Sequence, residues 1–105
     1  MPNQWSWKKI SDTEYKLMNA DIMSGWLRLT HSGEWVCHFY NDDYDMKFAA
    51  TLIGMRNPEQ ALWQATLWID SVCNQVANSF HRIRDNLPSI VEMYNAYEAA
   101  ERRKG

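Results

Sequence analysis

The sequence has few of the residues that characterise disulfide-rich, collagen-like or disordered chains. Its 105 residues include only 2 cysteines, 4 glycines and 3 prolines, whereas 46% are hydrophobic. This composition excludes a disulfide scaffold and a low-complexity chain, and it leaves room for one hydrophobic core. We therefore expect one globular domain over residues 1–105 rather than a multidomain enzyme.

Strong net charge and long apolar runs are also lacking. The formal net charge of −2 is too weak to predict nucleic-acid binding from overall electrostatics. No stretch approaches the roughly 18 consecutive apolar residues of a membrane span, and the N-terminus lacks the apolar segment of a signal peptide. We therefore expect a cytoplasmic protein with no membrane partner.

The usual motifs of catalysis, metal binding and nucleotide binding are missing. The glycines are scattered, so the sequence has no glycine-rich phosphate loop. Cys37 and His38 are neighbours in a predicted strand, where adjacent side chains point to opposite faces, which disfavours a catalytic dyad. His31 could meet the acidic turn near Asp42, but carboxylates in turns more often cap than bind metal. The sequence predicts a non-enzyme with no metal site and no cofactor, in which Cys37 and Cys73 are buried thiols.

The first half of the chain alternates apolar and polar residues, as strands with one buried face do. Gly33 lies in a short loop between two such segments and can adopt the positive φ of a tight connection. The pattern predicts an antiparallel meander of three to five strands over residues 5–53, with the last strand at an edge. The alternating segments are residues 5–10, 14–19, 25–30, 35–40 and 44–49.

The second half of the chain has helical periodicity. Asn57-Pro58-Glu59-Gln60 combines an N-cap residue, proline at the first helical position and a capping box. Apolar residues then recur every three or four positions without glycine or proline as far as Pro88, which predicts one long helix over 58–87. The positions predicted to form the core of sheet and helix are Leu27, Leu29, Val36, Leu62, Ile69, Val72 and Val76.

A second capping box, Ser89 to Glu92, predicts a further helix over 89–102. Its apolar face can fold back on the overhanging C-terminal half of the long helix, or it can pack on a second copy of the chain and form a homodimer. The expected fold class is thus α+β: an antiparallel β-meander packed by a long helix and followed by a second C-terminal helix.

Aromatic residues, at 13%, exceed what a core of this size needs, and large aromatic side chains commonly anchor interfaces. Trp5 and Trp7 are close to the N-terminus, where burial is hardest to complete. Basic residues near tryptophans, at Lys8, Lys9, Lys16 and Arg28, offer nucleic-acid binding as the alternative. The residues predicted to contact a partner are Trp5, Trp7, Trp26, Tyr40, Asp42, Asp43 and Tyr44.

Three segments carry a resemblance to known proteins. Gly25-Trp26-Leu27-Arg28-Leu29, Gly33-Glu34-Trp35-Val36-Cys37 and Asn57-Pro58-Glu59-Gln60-Ala61-Leu62 give residues 5–80 a layout that resembles the small β-meander-plus-helix accessory proteins of bacteriophages and mobile elements. The second helix departs from the simplest form of that layout. The resemblance implies an anti-defence role in the host cytoplasm, with stoichiometric binding of a host protein such as a CRISPR effector, a restriction enzyme or a DNA-repair nuclease.

Overall fold

The computed structural model describes residues 5–18, 20, 22–42, 45–75 and 80–104. The five strands precede the three helices, so the fold class is the predicted α+β arrangement. The elements are β1 (Ser6–Ser11), β2 (Glu14–Met18), β3 (Met23–Leu29), β4 (Trp35–Asn41), β5 (Met46–Leu52), α1 (Pro58–Gln75), α2 (Phe80–Asn86) and α3 (Ile90–Lys104).

The strands form one antiparallel meander in the order β1-β2-β3-β4-β5. The β3–β4 hairpin has the predicted loop, in which Gly33 has a φ of 87°. Alternation divides each strand between two faces, and α1 packs against one of them, the inner face. The inner face includes Tyr15 and Leu27, whereas the opposite, outer face has no helix on it among the described residues.

The core lies between the inner face and α1. Phe39 stacks on Phe48 with ring centroids 4.8 Å apart, and Trp68 of α1 meets Phe39 edge-on at 5.6 Å. Leu27 and Ile69 are fully buried, which confirms two of the predicted core positions.

The other predicted core positions are not fully buried or lie outside the described residues. Leu29, Leu62 and Val72 are half-buried at the margin of the core. Val36 was placed on the wrong face, because β4 buries its odd-numbered residues and turns its even-numbered ones outward. Val76 lies outside the described residues.

The prediction of one helix over 58–87 is wrong. Helix α1 ends at Gln75, α2 begins at Phe80, and α2 packs against α1. Arg84 Nη1 donates to Asn74 Oδ1 at 2.7 Å, a contact that ten residues of straight helix, about 15 Å long, would not permit. Turning back buries Ile83 and Leu87, which a straight helix would carry past the sheet into water.

Helix α3 folds back within the chain, but along the N-terminal half of α1 rather than the predicted C-terminal half. Met93 Sδ lies 3.0 Å from Thr66 Oγ1, and Asn57 Nδ2 donates to Glu101 at 2.9 Å. Both predicted N-caps form: Asn57 Oδ1 accepts from the Gln60 N–H and Ser89 Oγ from the Glu92 N–H. Because α2 already occupies the C-terminal half of α1, the N-terminal half is the part left for α3.

Candidate functional site

Trp5 and Trp7 face the core instead of a partner, contrary to the exposure predicted for them. Trp5 is only 3% exposed, and its backbone N–H donates to the Asn86 carbonyl at the end of α2. Trp7 packs against the core, and its indole Nε1 donates to Thr66 Oγ1 at 3.0 Å. The turned-back α2 provides the cover that makes burial near the N-terminus possible.

A row of basic and aromatic side chains crosses the outer face, and we call it the central row. Strand register places Lys8 beside Lys16, Lys16 beside Trp26, and Trp26 beside His38. The two lysines and His38 are exposed, and Trp26 is half-buried. Because neighbouring strands are about 4.8 Å apart, the four side chains form one continuous strip perpendicular to the strands.

Two further rows flank the central row. On one side Tyr40 pairs with Lys47, and on the other Arg28 pairs with Glu14. Four cationic residues (Lys8, Lys16, Arg28, Lys47) and three acidic ones (Glu14, Asp42, Asp45) lie on or at the margin of this face, which gives +4 − 3 = +1 on a chain of net charge −2. The rest of the chain therefore carries −3, so the outer face is more basic than the remainder of the protein.

Among the ion pairs formed by the described residues, the one on this face involves Arg28 and not a lysine. Arg28 forms an exposed ion pair with Glu14 at 3.2 Å. Among the described residues, no carboxylate pairs with Lys8, Lys16 or Lys47. These three ammonium groups are therefore available to an anionic ligand.

A concavity of about 620 Å³ opens on the outer face over β3, β4 and β5. Trp26, Tyr40 and Arg28 contribute to its walls, together with Asp45 and Lys47. The Tyr40 hydroxyl donates to the Asp45 carboxylate, and this hydrogen bond raises the pKa of Tyr40. Asp45 has a φ of 53°, so a left-handed turn residue holds the carboxylate that fixes the tyrosine ring.

Of the remaining predicted contact residues, one lies within the described part of the chain. Asp42 is exposed beside the β4–β5 turn, while Asp43 and Tyr44 lie outside the described residues. Lys9 is not part of the central row, because its strand partner is Tyr15 of the inner face. Its ammonium group forms an ion pair with Asp12 at 3.0 Å. The Asp12 hydrogen bond raises the pKa of Lys9.

The sequence-based set lacked several residues of this site, among them His38 and Lys47 on the outer face and Ser24 at the concavity. The alternation of side chains along each strand could have identified them. Once Trp26 is assigned to the outer face, the hairpin register assigns His38 to it, and the next pairing assigns Lys47.

The cysteines have the environment of structural thiols. Burial raises the pKa of Cys37 to about 12, and burial followed by the Asp70 charge raises that of Cys73 to about 12. Cys37 lies on the inner face and its neighbour His38 on the outer face, so the imidazole cannot activate the thiol. Within the described part of the chain, no group of three or more His, Cys, Asp or Glu residues is arranged to hold a metal ion.

A second aromatic group lies on the helical side, and we call it the helical aromatic cluster. Trp63 of α1 stacks on Tyr97 at 5.6 Å and meets Tyr94 edge-on at 4.9 Å. Tyr94 is 38% exposed and nearby Val91 on α3 is 68% exposed. The tyrosine hydroxyl donates to Glu98, which raises the pKa of Tyr94.

No family model, curated protein or solved structure is significantly similar to this chain. The resemblance in layout to phage accessory proteins therefore stays a prediction. Across the described residues, none of the helices is long and apolar enough to cross a membrane.

Proposed function

We propose that this protein is a non-enzymatic binding module that contacts a nucleic acid through the outer face of its sheet. The central row carries the proposal, because it combines cations with a tryptophan ring on a surface that no helix in the described chain covers. Cations neutralise phosphates and release counterions, while aromatic rings accept stacked bases.

The charge of the outer face favours a nucleic acid as its partner over the substrate-binding cleft of a host nuclease. Of the described aromatic residues of the outer face, Trp26 lies beside Lys16 and shares the concavity with Arg28, whereas Tyr40 lies between Lys47 and the acidic Asp45. A nuclease or defence complex binds its own substrate with a basic cleft, and two basic surfaces repel each other. The outer face therefore complements a nucleic acid better than it complements such a cleft.

Binding of a host protein, with inhibition or modulation of a nuclease or defence complex, is the second candidate function. The helical aromatic cluster favours it, because Val91 and Tyr94 expose apolar surface next to Trp63. Interfaces concentrate their binding energy in such aromatic anchors. This version of the function would use the helices and leave the outer face to another role.

Fluorescence anisotropy with a labelled oligonucleotide tests the first proposal. We expect affinity to fall linearly with log salt, by roughly 0.7 to 0.9 of a slope unit per phosphate contact. The Lys8→Ala/Lys16→Ala variant should show a shallower slope and weaker binding. The matched control is Arg102→Ala/Arg103→Ala, which removes the same charge from exposed positions on α3. Equal losses in the two double variants, or no binding at low salt, would contradict the proposal.

Affinity purification from bacterial lysate, with and without nuclease treatment, tests the second candidate. A host protein that stays bound after nuclease treatment and is lost with Tyr94→Ala would support it. A protein that disappears after nuclease treatment would instead be tethered through nucleic acid. The control is Lys8→Ala/Lys16→Ala, which should not affect a partner bound through the helices.

A further inference from the structure

The concavity on the outer face has the size and chemistry of a site for one nucleobase. Its volume of about 620 Å³ falls within the roughly 300–1,000 Å³ of sites that enclose small organic groups. Trp26 and Tyr40 supply aromatic surface, and Arg28 and Lys47 supply positive charge on either side of them. An aromatic surface with cations beside it suits a stacked base whose backbone phosphates lie next to those cations.

The carboxylate in the concavity sets the orientation in which a nucleotide can bind. Asp45 is held by the Tyr40 hydroxyl and would repel a phosphate, so the phosphates belong on the side of Arg28 and the central row. A carboxylate also accepts a hydrogen bond from an exocyclic amino group, as acidic residues do from cytosine N4. The arrangement therefore presents an acceptor to the base edge and cations to the backbone.

The shape of the surface distinguishes single strands from duplexes. The grooves of a duplex admit one helix or a two-stranded ribbon, whereas the central row spans β1 to β4 and the concavity reaches β5. Paired bases are stacked inside a duplex and cannot reach Trp26. Only an unpaired base can enter the concavity while its backbone follows Lys8 and Lys16.

We infer that the outer face selects single-stranded nucleic acid by inserting one unpaired base between Trp26 and Tyr40, with the adjoining backbone on the central row. This inference rests on the proposed function, because it takes the same surface as the nucleic-acid contact. It adds the class of nucleic acid and the residues that select it. Lys8 and Lys16 provide affinity for the backbone, and the aromatic pair provides the preference for single strands.

Three probes of equal length test the inference: a labelled single strand, the same sequence as a duplex, and a backbone-only strand made entirely of abasic sites. Anisotropy at one low salt concentration should show the single strand bound about tenfold or more tighter than the abasic strand, as base stacking on an aromatic ring implies. The abasic probe keeps the phosphates, so the comparison needs no variant to fold. The duplex should bind more weakly than the single strand.

Substitutions then test which residues produce the preference for single strands. Trp26→Ala should reduce the single-strand advantage about tenfold and Trp26→Phe should retain much of it, because phenylalanine keeps an aromatic face. Tyr94→Ala, which removes an exposed aromatic residue from α3, is the control and should leave the preference unchanged. Circular dichroism confirms the fold of each variant.

The outcomes separate this inference from the proposed function. Equal affinity for all three probes, still dependent on Lys8 and Lys16, would overturn base insertion and leave nucleic-acid binding standing. A single-strand preference that survives Trp26→Ala would overturn the assignment to the concavity. No binding of any probe at low salt would overturn both.

Discussion

The two faces of the sheet are built from the same strands and have opposite roles. On β4, Cys37 and Phe39 are at most 1% exposed beneath α1, whereas His38 between them is exposed on the outer face. Alternate residues of one strand therefore belong either to the core or to the candidate binding surface. Stability and binding can therefore be changed separately, by substituting either the inward-facing or the outward-facing residues of one strand.

Removing a ring from the inner face should have the largest effect on stability. Phe39→Ala leaves a cavity between Phe48 and Trp68, and we expect it to lower the free energy of unfolding by about 3–5 kcal/mol. Urea unfolding measures the loss. The control is Val36→Ala, a truncation on the outer face of the same strand, which should cost less than about 1 kcal/mol. Similar losses for both variants would contradict the assignment of faces.

The next effect is chemical and concerns Cys37. Because burial raises its pKa from 9.0 to about 12, its thiolate fraction near pH 8 should be about a thousandfold below that of an unfolded thiol. Alkylation followed by peptide mass spectrometry should find Cys37 protected in the folded protein and labelled in urea. Rapid labelling of Cys37 in the folded protein would contradict its burial.

The same shift makes stability depend on pH. The folded protein keeps the Cys37 proton that the unfolded chain releases above about pH 9, so this contribution is complete below pH 9 and is lost as pH rises toward about 12. Cys37→Ala should make that part of the stability profile less steep, while Cys73, whose pKa is also raised to about 12, keeps its own contribution. The control, Cys37→Ala measured near pH 7, isolates the packing loss from the titration. An unchanged slope above pH 9 would contradict the prediction.

A smaller effect is expected where the inner face meets the helices. Thr66 Oγ1 accepts from Trp7 Nε1 and donates to the Leu62 carbonyl at 2.8 Å. Thr66→Val keeps the shape but leaves the indole N–H without its acceptor, and we expect a loss of about 1–3 kcal/mol in urea unfolding. Thr66→Ser keeps the hydroxyl and is the control. Stability equal to that of the parent in Thr66→Val would show that this hydrogen bond contributes little.

The smallest effect on stability is expected on the outer face. Glu14→Gln removes the exposed ion pair with Arg28 and should cost less than about 0.5 kcal/mol. It should also strengthen oligonucleotide binding, because Arg28 is freed and the face gains one positive charge. Anisotropy and urea unfolding on one preparation compare the two effects. A large loss of stability without a gain in binding would remove the distinction between the faces.

Local chemistry made much of the fold predictable. Alternation from Trp5 to Phe48 predicted the strands, Gly33 predicted the loop between β3 and β4, and Asn57 and Ser89 predicted the helix starts. Each of these signals acts between residues close in sequence, through side-chain parity, backbone φ or an N-terminal cap. Such short-range effects do not need the rest of the molecule.

The candidate site was less predictable than the fold. The sequence identified Trp26, Tyr40, Lys8, Lys16 and Arg28, but it grouped them with Trp5, which is buried in the core, and Trp7, which packs against it. Aromatic content predicts that some rings face a partner and does not say which ones. That assignment requires the register of all five strands and the position of α1.

Periodicity also failed where the first helix ends. Between Gln75 and Phe80 the sequence has neither glycine nor proline, although Asn78 and Ser79 are of the types that favour caps and turns. Helix α2 packs back on α1 because the sheet is too short to cover a straight helix of that length, and this packing buries Ile83.

Most element types, their order and most of their starts thus follow from local sequence, because these depend on neighbours within a few residues. Long-range packing instead places α2 over Trp5, α3 along the N-terminal half of α1, and Lys47 on the outer face. These outcomes depend on burial of apolar surface between segments far apart in sequence. That free energy is non-directional, so it becomes specific only when the whole chain is packed.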